Sequence, residues 1–348
     1  MSTEIASQSP VGPQSERKRG LLGRLFLGAL PAVYFLAIFL VMVGSFGLHM
    51  RKSGIFACPA DQYGGDHYLG HCEATAYGDY DHGAIWWGLE PKVRDAAGKA
   101  DVLFLGSSRT TFGFSAPSLG HWFAGKDLNF YLLGFSHFEN MTFEGSLVQG
   151  LHSRARAYVI NIDGFFTDSE TGPGGEIMHG GSSARSRYLG KQAWQGVHRT
   201  LCGWKPQLCG NAIAFYRQRE TGEWIHTGSQ NAFPSGVESA APENPVAIAY
   251  AKPRAEKFLA SLGVGHDCIV LTYIPAKTSE RATASALAAT LGYDLVSPQV
   301  AGLRTFDGSH LDPPSAELFT SAFLETAGPR LATCLRQTPV AATPEPAK

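Results

Sequence analysis

Net charge is what this 348-residue sequence has least of: 29 Lys and Arg stand against 30 Asp and Glu, a formal balance of -1. A protein that follows a polyphosphate backbone needs a surplus of cations along its surface, so the balance argues against nucleic acid as a partner. Charged residues are also scarce overall, at 17% against 44% hydrophobic. That composition excludes a disordered chain and supplies enough apolar surface for a full core and an inserted subdomain.

The shortage of charge is complete between Leu25 and Leu48, where 24 residues pass without an ionisable cation or acid. At about 1.5 Å per residue such a run crosses a hydrocarbon layer of roughly 30 Å, which predicts a single transmembrane helix over residues 21–50. Pro31 lies inside it, but a membrane helix tolerates proline near its end. Arg17, Lys18, Arg19 and Arg24 precede the span, against Arg51 and Lys52 after it. The positive-inside bias then places a tail, residues 1–20, in the cytoplasm and the rest of the chain outside. A cleaved signal peptide is the competing reading; the run is long for one, and no A-x-A-like site follows Ser45.

Cysteine is sparse but even in number: Cys58, Cys72, Cys202, Cys209, Cys268 and Cys334, all beyond the span, where disulfides persist. Nearest-neighbour pairing joins Cys58 to Cys72 and Cys202 to Cys209, leaving Cys268 for Cys334, although six cysteines allow about fifteen connectivities.

Residues 51–100 are rich in Gly, Tyr and His and read as a collar or lid. From residue 101 to 335 short apolar runs alternate with helical stretches. The runs are Asp101–Gly106, Leu128–Gly134, Ala157–Asp163, Cys268–Pro275 and Tyr293–Pro298; the helices are expected at 138–152, 246–263, 279–291 and 314–327. Alternation of this kind predicts an α/β domain on a doubly wound parallel sheet. Residues 165–245 show no regular strand period and read as an insertion over the sheet edge. Residues 336–348 read as a flexible tail rich in Pro, Ala and Thr.

Ligands bind beyond the carboxyl ends of strands in such sheets, and there the sequence becomes specific. After the first run stands Gly106-Ser107-Ser108-Arg109-Thr110, a sharp turn that brings a serine to the start of a helix. A serine needs a base, and Asp307-Gly308-Ser309-His310 follows the last strand. Carboxylate and imidazole three residues apart can lie side by side, with His310 as base and Asp307 holding its tautomer. Each piece taken alone also fits a helix cap or a surface turn; their order at the two ends of one α/β domain favours a triad.

These motifs, with the glycine of YLLGFS after the second run, resemble the SGNH (GDSL-like) hydrolase superfamily over about residues 101–330. The resemblance implies a flavodoxin-like three-layer α/β/α fold, Ser108 as nucleophile and an oxyanion hole from the amides of Ser108 and Gly134. The family's asparagine donor has no GxND block here, and Asn161 in VINIDG stands nearest to it. Ser107 replaces the family's aspartate, as in a membrane-anchored branch resembling teichoic-acid D-alanylation proteins and alginate-type polysaccharide O-acetyltransferases. That implies acyl transfer, most simply of acetyl, to an envelope or extracellular polysaccharide at a bacterial cytoplasmic membrane. A membrane-bound O-acyltransferase is the implied donor partner, and no cofactor is required. Ester hydrolysis by a carbohydrate esterase or lipase is the same chemistry with water as acceptor, and a silent assembly subunit of an exopolysaccharide machine is the non-enzymatic alternative.

Two other groupings have two readings each. Asp66, His67, His71, Glu73, Asp79, Asp81 and His82 crowd one segment without the spacing of a closed metal site, and a hydrated sugar-contacting loop explains them as well. Trp194, Trp204, Trp224, Phe165, Phe166, Tyr188 and Tyr216 suit either sugar stacking or a small core. His137, shortly after Gly134, reads as an ordinary hydrogen-bonded histidine with no assigned role.

Overall fold

The computed structural model describes residues 21–64, 66–73, 75–227, 235–237, 241–277 and 280–336; the tails expected at 1–20 and 337–348 lie outside them. The chain divides into two compact units, the first ending at His49 and the second beginning at Met50. Helix α1 (Leu21–Ser53) begins in the first and its last four residues fall in the second; of it Pro31–Ser53, 23 residues, is long and apolar enough to cross a membrane. Its side chains from 31 to 49 are exposed on every face, and a helix apolar all round suits a membrane anchor or a signal sequence.

The second unit continues with β1 (His67–Cys72), β2 (Gly78–Asp79), α2 (Asp81–Trp86), α3 (Val93–Lys99), β3 (Val102–Ser107) and α4 (Ser108–Gly113). Next come α5 (Ala116–Ala124), β4 (Phe130–Phe135), α6 (Met141–Gly150), β5 (Ala157–Asn161), α7 (Gly172–His179) and α8 (Gly181–Trp204). The chain then forms β6 (Ala214–Gln218), β7 (Trp224–Thr227), β8 (Ser235–Gly236) and α9 (Pro245–Ser261). It closes with β9 (Ile269–Thr272), α10 (Arg281–Thr290), β10 (Leu295–Val296), β11 (Arg304–Thr305) and α11 (Pro313–Arg336).

Five strands form one parallel sheet in the order β10-β9-β5-β3-β4. Each lies inside one of the apolar runs marked in the sequence or within a residue of it, because a parallel strand is buried on both faces and reads as a continuous apolar stretch. Side chains alternate between two cores. Leu103, Leu105, Leu133 and Ile160 face α3, α6, α9 and α10, while Val102, Phe104, Leu132 and Val159 face α5 and α11. Helices therefore cover both faces, and the strand ends are left to carry the site.

Two expectations are corrected. The insertion has strands of its own, β6 and β7, which join β1 and β2 in an antiparallel sheet ordered β2-β1-β6-β7, so collar and insertion form one structure. That structure covers the open edge of β4: fully buried Arg217 pairs with Asp81 and donates to the carbonyls of Leu132 and Gly134. An uncovered strand edge invites foreign pairing. The last helix, expected to stop at 327, runs through Pro329 to Arg336, because Leu331, Cys334 and Leu335 are buried on the sheet. Three disulfides join Cys58 to Cys72, Cys202 to Cys209 and Cys268 to Cys334, the last tying α11 to the start of β9.

Candidate active site

The carboxyl end of β3 delivers Ser108. Gly106 there has φ +139°, and a Cβ on it would collide with the Thr110 hydroxyl, so the turn requires glycine. The Gly106 amide donates to Glu144 Oε2 at 3.0 Å, which holds the turn, and burial pushes the Glu144 carboxyl well above the usual range. Ser107 caps the short helix that follows, its hydroxyl accepting from the Arg109 amide at 3.4 Å.

From the opposite end of the domain, the loop before α11 brings His310 to Ser108. Ser108 Oγ and His310 Nε2 are 2.8 Å apart, and His310 Nδ1 lies 2.6 Å from Asp307 Oδ2. The other Asp307 oxygen accepts the amides of Ser309 and His310 at 2.8 and 2.9 Å. Partial burial opposes ionisation of Asp307, but the His310 bond and these amides outweigh it and bring the carboxyl down to about 2. Gly308, with φ +87°, makes the tight turn between acid and base. The loop is held from outside as well: Arg109 Nε donates to Ser309 Oγ at 3.2 Å while its guanidinium pairs with Asp163. Phe306 stacks on the imidazole and Phe112 meets it edge-on.

Ser108 and His310 open into a cavity of about 400 Å³ whose far wall holds His71, Ser136, His137 and Phe215. Burial lowers the His71 imidazole to about 4 and lowers His137 as well, so both are neutral near pH 7. His137 and Phe138 have φ of +61° and +54°, two successive left-handed residues that are not glycine. Such residues cost about 1–3 kcal/mol each and gather at functional loops. Beyond an aromatic wall of Phe112, Phe215 and Phe306 lies a second cavity of about 480 Å³, lined by Trp224, Leu311 and Glu223 among others.

Ser108, Asp307 and His310 are thus brought together, whereas Gly134 and Asn161 are not among the residues lining the cavity. Gly134 pairs with Gly106 inside the sheet, close against the Ser107 carbonyl. Fully buried Asn161 accepts the Ile274 amide at 3.4 Å, and its Nδ2 has no partner. Ser136 occupies the place one row further out. The paired strands end at Ser107 and Phe135, and just beyond them Ser136 lines the same cavity as Ser108; it is 8% exposed and its hydroxyl has no partner. Sequence reading missed Ser136 and placed His71 only in the acid- and histidine-rich group and Arg109 only in the turn around Ser108; the one available signal for Ser136 was that it follows Gly134 by two residues at a strand end.

The acid and histidine-rich segment has separate partners in several parts of the chain instead of a shared centre, Asp81 pairing with Arg217 and Asp66 with Lys92 and Arg219. His82 is held by Asp79 at 2.8 Å and Glu139 at 3.1 Å, and Tyr68 donates to Asp81 at 2.5 Å. Among the described residues, the one close set of metal-type ligands is His198, Cys202 and Cys209, and its thiols are consumed in a disulfide. Of the aromatics, Phe165, Phe166, Tyr188, Tyr216 and Trp224 are core, while Trp194 and Trp204 are exposed.

No family model, curated protein or solved structure matches the chain.

Proposed function

We propose that this protein is a membrane-anchored serine acyl-transfer enzyme of SGNH type that moves an acyl group, most simply acetyl, onto a hydroxyl of an envelope polysaccharide. The observation that carries the reading is the unbroken relay from Ser108 Oγ through His310 to Asp307. The strand order, numbered by chain position 2-1-3-4-5, is the flavodoxin-like one and fits that family's fold.

In the reaction Ser108 Oγ attacks the acyl carbonyl and passes its proton to His310 Nε2. The carbonyl electron pair moves onto oxygen, and the Ser108 amide and Ser136 hydroxyl donate to that oxyanion. Rotation about one side-chain torsion is all that Ser136 needs to turn toward it. Collapse expels the donor's leaving group, which takes the proton from His310 and leaves an ester on Ser108. The acceptor hydroxyl then loses its proton to His310, attacks the ester and departs acylated, and the proton returns to Ser108. Asp307 stays ionised and stabilises the imidazolium. Water in place of the sugar hydroxyl makes the same cycle an esterase.

The anchor and the disulfides support a domain outside a bacterial cytoplasmic membrane, where it meets an emerging polymer and an acyl donor presented by a membrane-bound O-acyltransferase. Mass spectrometry of the detergent-solubilised full chain with p-nitrophenyl acetate tests the reading. The expected result is an acetyl adduct on Ser108, absent from Ser108→Ala and His310→Ala; no adduct and no turnover in any form would instead identify a silent assembly subunit.

A further inference from the structure

The turn that leaves β4 sets an aromatic ring at the rim of the catalytic cavity. Phe138 lines that cavity, yet it is 80% exposed, the largest value among the large apolar side chains described. The chain is fixed on either side of it. Buried Phe135 ends the strand, and Glu139, 2% exposed, accepts the Asn140 amide at 3.0 Å and the Thr171 hydroxyl at 2.5 Å. Between these anchors His137 and Phe138 both take the left-handed backbone, at φ +61° and +54°, which residues with a Cβ rarely adopt. Strain of this kind persists where the surroundings impose it, and it gathers at ligand clamps.

The rest of the cavity wall says what sort of ligand fits. Apart from the serines and the catalytic pair, its polar lining is dominated by the imidazoles of His71 and His137. The two rings meet edge-on at 5.5 Å, and His71 also stacks on Phe215. Neither imidazole makes a hydrogen bond among the described residues, and His71 Nδ1 is buried without a partner. Burial keeps both neutral near pH 7, so each ring offers one donor and one acceptor. A sugar hydroxyl offers the same two functions.

Charge discriminates among the possible ligands. Arg109 is the cavity's one arginine or lysine, and it is committed to Asp163 and Ser309. Glu73 is exposed at the rim and has no ion pair among the described residues. An anionic ligand would therefore meet an unmatched acid and no spare cation. A long acyl chain would leave the imidazoles unsatisfied. An uncharged, polyhydroxylated ring suits the wall, with hydroxyls for the imidazoles and a C–H face for Phe138.

From these observations we infer that the His137–Phe138 turn is the acceptor subsite, where a neutral pyranose stacks on Phe138, hydrogen-bonds to His71 and His137, and holds a hydroxyl toward the ester on Ser108. The inference rests on Ser108 as the acyl carrier proposed above and adds the charge class of the acceptor, a neutral sugar and not a uronic acid. Phe138 then favours sugar over water in the second half of the reaction.

The test uses the detergent-solubilised full chain with p-nitrophenyl acetate as donor and Ser108→Ala as the blank. The acceptors are the methyl glycosides of glucose, galactose, mannose and N-acetylglucosamine, beside those of glucuronic and galacturonic acid. Mass spectrometry gives the ratio of acetylated glycoside to p-nitrophenol released. At least one neutral glycoside should give a ratio about tenfold above either uronide. Phe138→Ala should lower that ratio about tenfold, as loss of one aromatic contact does, and Phe138→Tyr should keep it. A ratio taken within one sample is not moved by a partly unfolded preparation. An unchanged ratio in Phe138→Ala, uronides accepted as well as neutral glycosides, or p-nitrophenol release with no sugar acetylated each overturns the subsite and leaves Ser108 standing as a nucleophile. A wild type that releases no p-nitrophenol overturns the reading of Ser108, and the subsite with it.

Discussion

The chain contains two Asp-x-x-His units that look alike up to the histidine. In both, Nδ1 of the imidazole meets the aspartate three residues back: at 2.8 Å for Asp79 and His82 and at 2.6 Å for Asp307 and His310. They part at the other ring nitrogen. His82 Nε2 meets the carboxylate of Glu139 at 3.1 Å in a fully buried position. Burial disfavours the imidazolium there, but Asp79 and Glu139 outweigh it and raise His82 to about 10, so near pH 7 both ring nitrogens carry protons and neither is free to accept one. His310 Nε2 meets a hydroxyl, that of Ser108, at 2.8 Å. A hydroxyl partner leaves the ring a proton to take, and a second carboxylate removes that possibility. The third group, supplied from a distant part of the chain, decides whether such a unit does chemistry or clamps a fold.

The largest effects should come from breaking the catalytic member. Ser108→Ala or His310→Ala should lower turnover of p-nitrophenyl acetate by about 10⁴-fold or more, because triad members act as a unit, with little change in thermal midpoint. The same operation on the buried member should invert the pattern. Glu139→Ala leaves the buried His82 Nε2, the Thr171 hydroxyl and the Asn140 amide without their acceptor, and an unsatisfied buried polar group costs about 1–3 kcal/mol. A denaturant titration should show that loss while kcat of the folded fraction stays near the wild-type value. If Glu139→Ala silences the enzyme without unfolding it, the contrast between the two units fails.

Ser136→Ala sharpens the catalytic side. Removing one oxyanion donor typically costs about 10²–10³ in kcat, so the loss should fall in kcat with KM little changed, and Ser136→Thr should recover part of it. Wild-type kcat in Ser136→Ala would remove Ser136 from the oxyanion hole and leave the triad standing. The smallest and most gradual effect concerns pH. Because the folded His82 value of about 10 lies above its ordinary 6.5, its stabilisation is full below 6.5 and is lost as pH rises through 10. Thermal midpoints measured across that window should therefore fall more steeply in the wild type than in His82→Gln.

Much of the sheet and most of the triad were readable because each has a local signature. A strand buried on both faces is apolar at every position, as in Val102–Leu105, and ligand-facing positions on a doubly wound sheet follow a strand end, as Ser108 follows β3. The apolar run before Ser53 is legible for the similar reason that bilayer thickness sets a minimum length. The oxyanion side was less legible. Gly134 and Asn161 stand at the motif positions, but which residues share a cavity with Ser108 depends on where the chain leaves the sheet after β3 and β4, and there it is Ser136 that lines the cavity. Nor does the crowd of acids and histidines from Asp66 to His82 announce its partners. Arg217 is 136 residues from Asp81 and Glu139 is 57 from His82, and no spacing rule reaches that far. Helix α8 escaped for a third reason: its buried side is narrow and mixed, so its period is weak.

By itself the sequence determined the alternation of strand and helix, the spanning run and the local Asp-Gly-Ser-His turn, since each depends on burial or backbone geometry within a few residues. Only the tertiary structure decided which Asp-x-x-His unit meets a serine and which a carboxylate, that collar and insertion share one sheet, and that Phe56 packs against Trp194 and His198 of α8. Those outcomes depend on which distant segments share a surface, and side-chain partners across such a surface are chosen by packing and desolvation, not by distance along the chain.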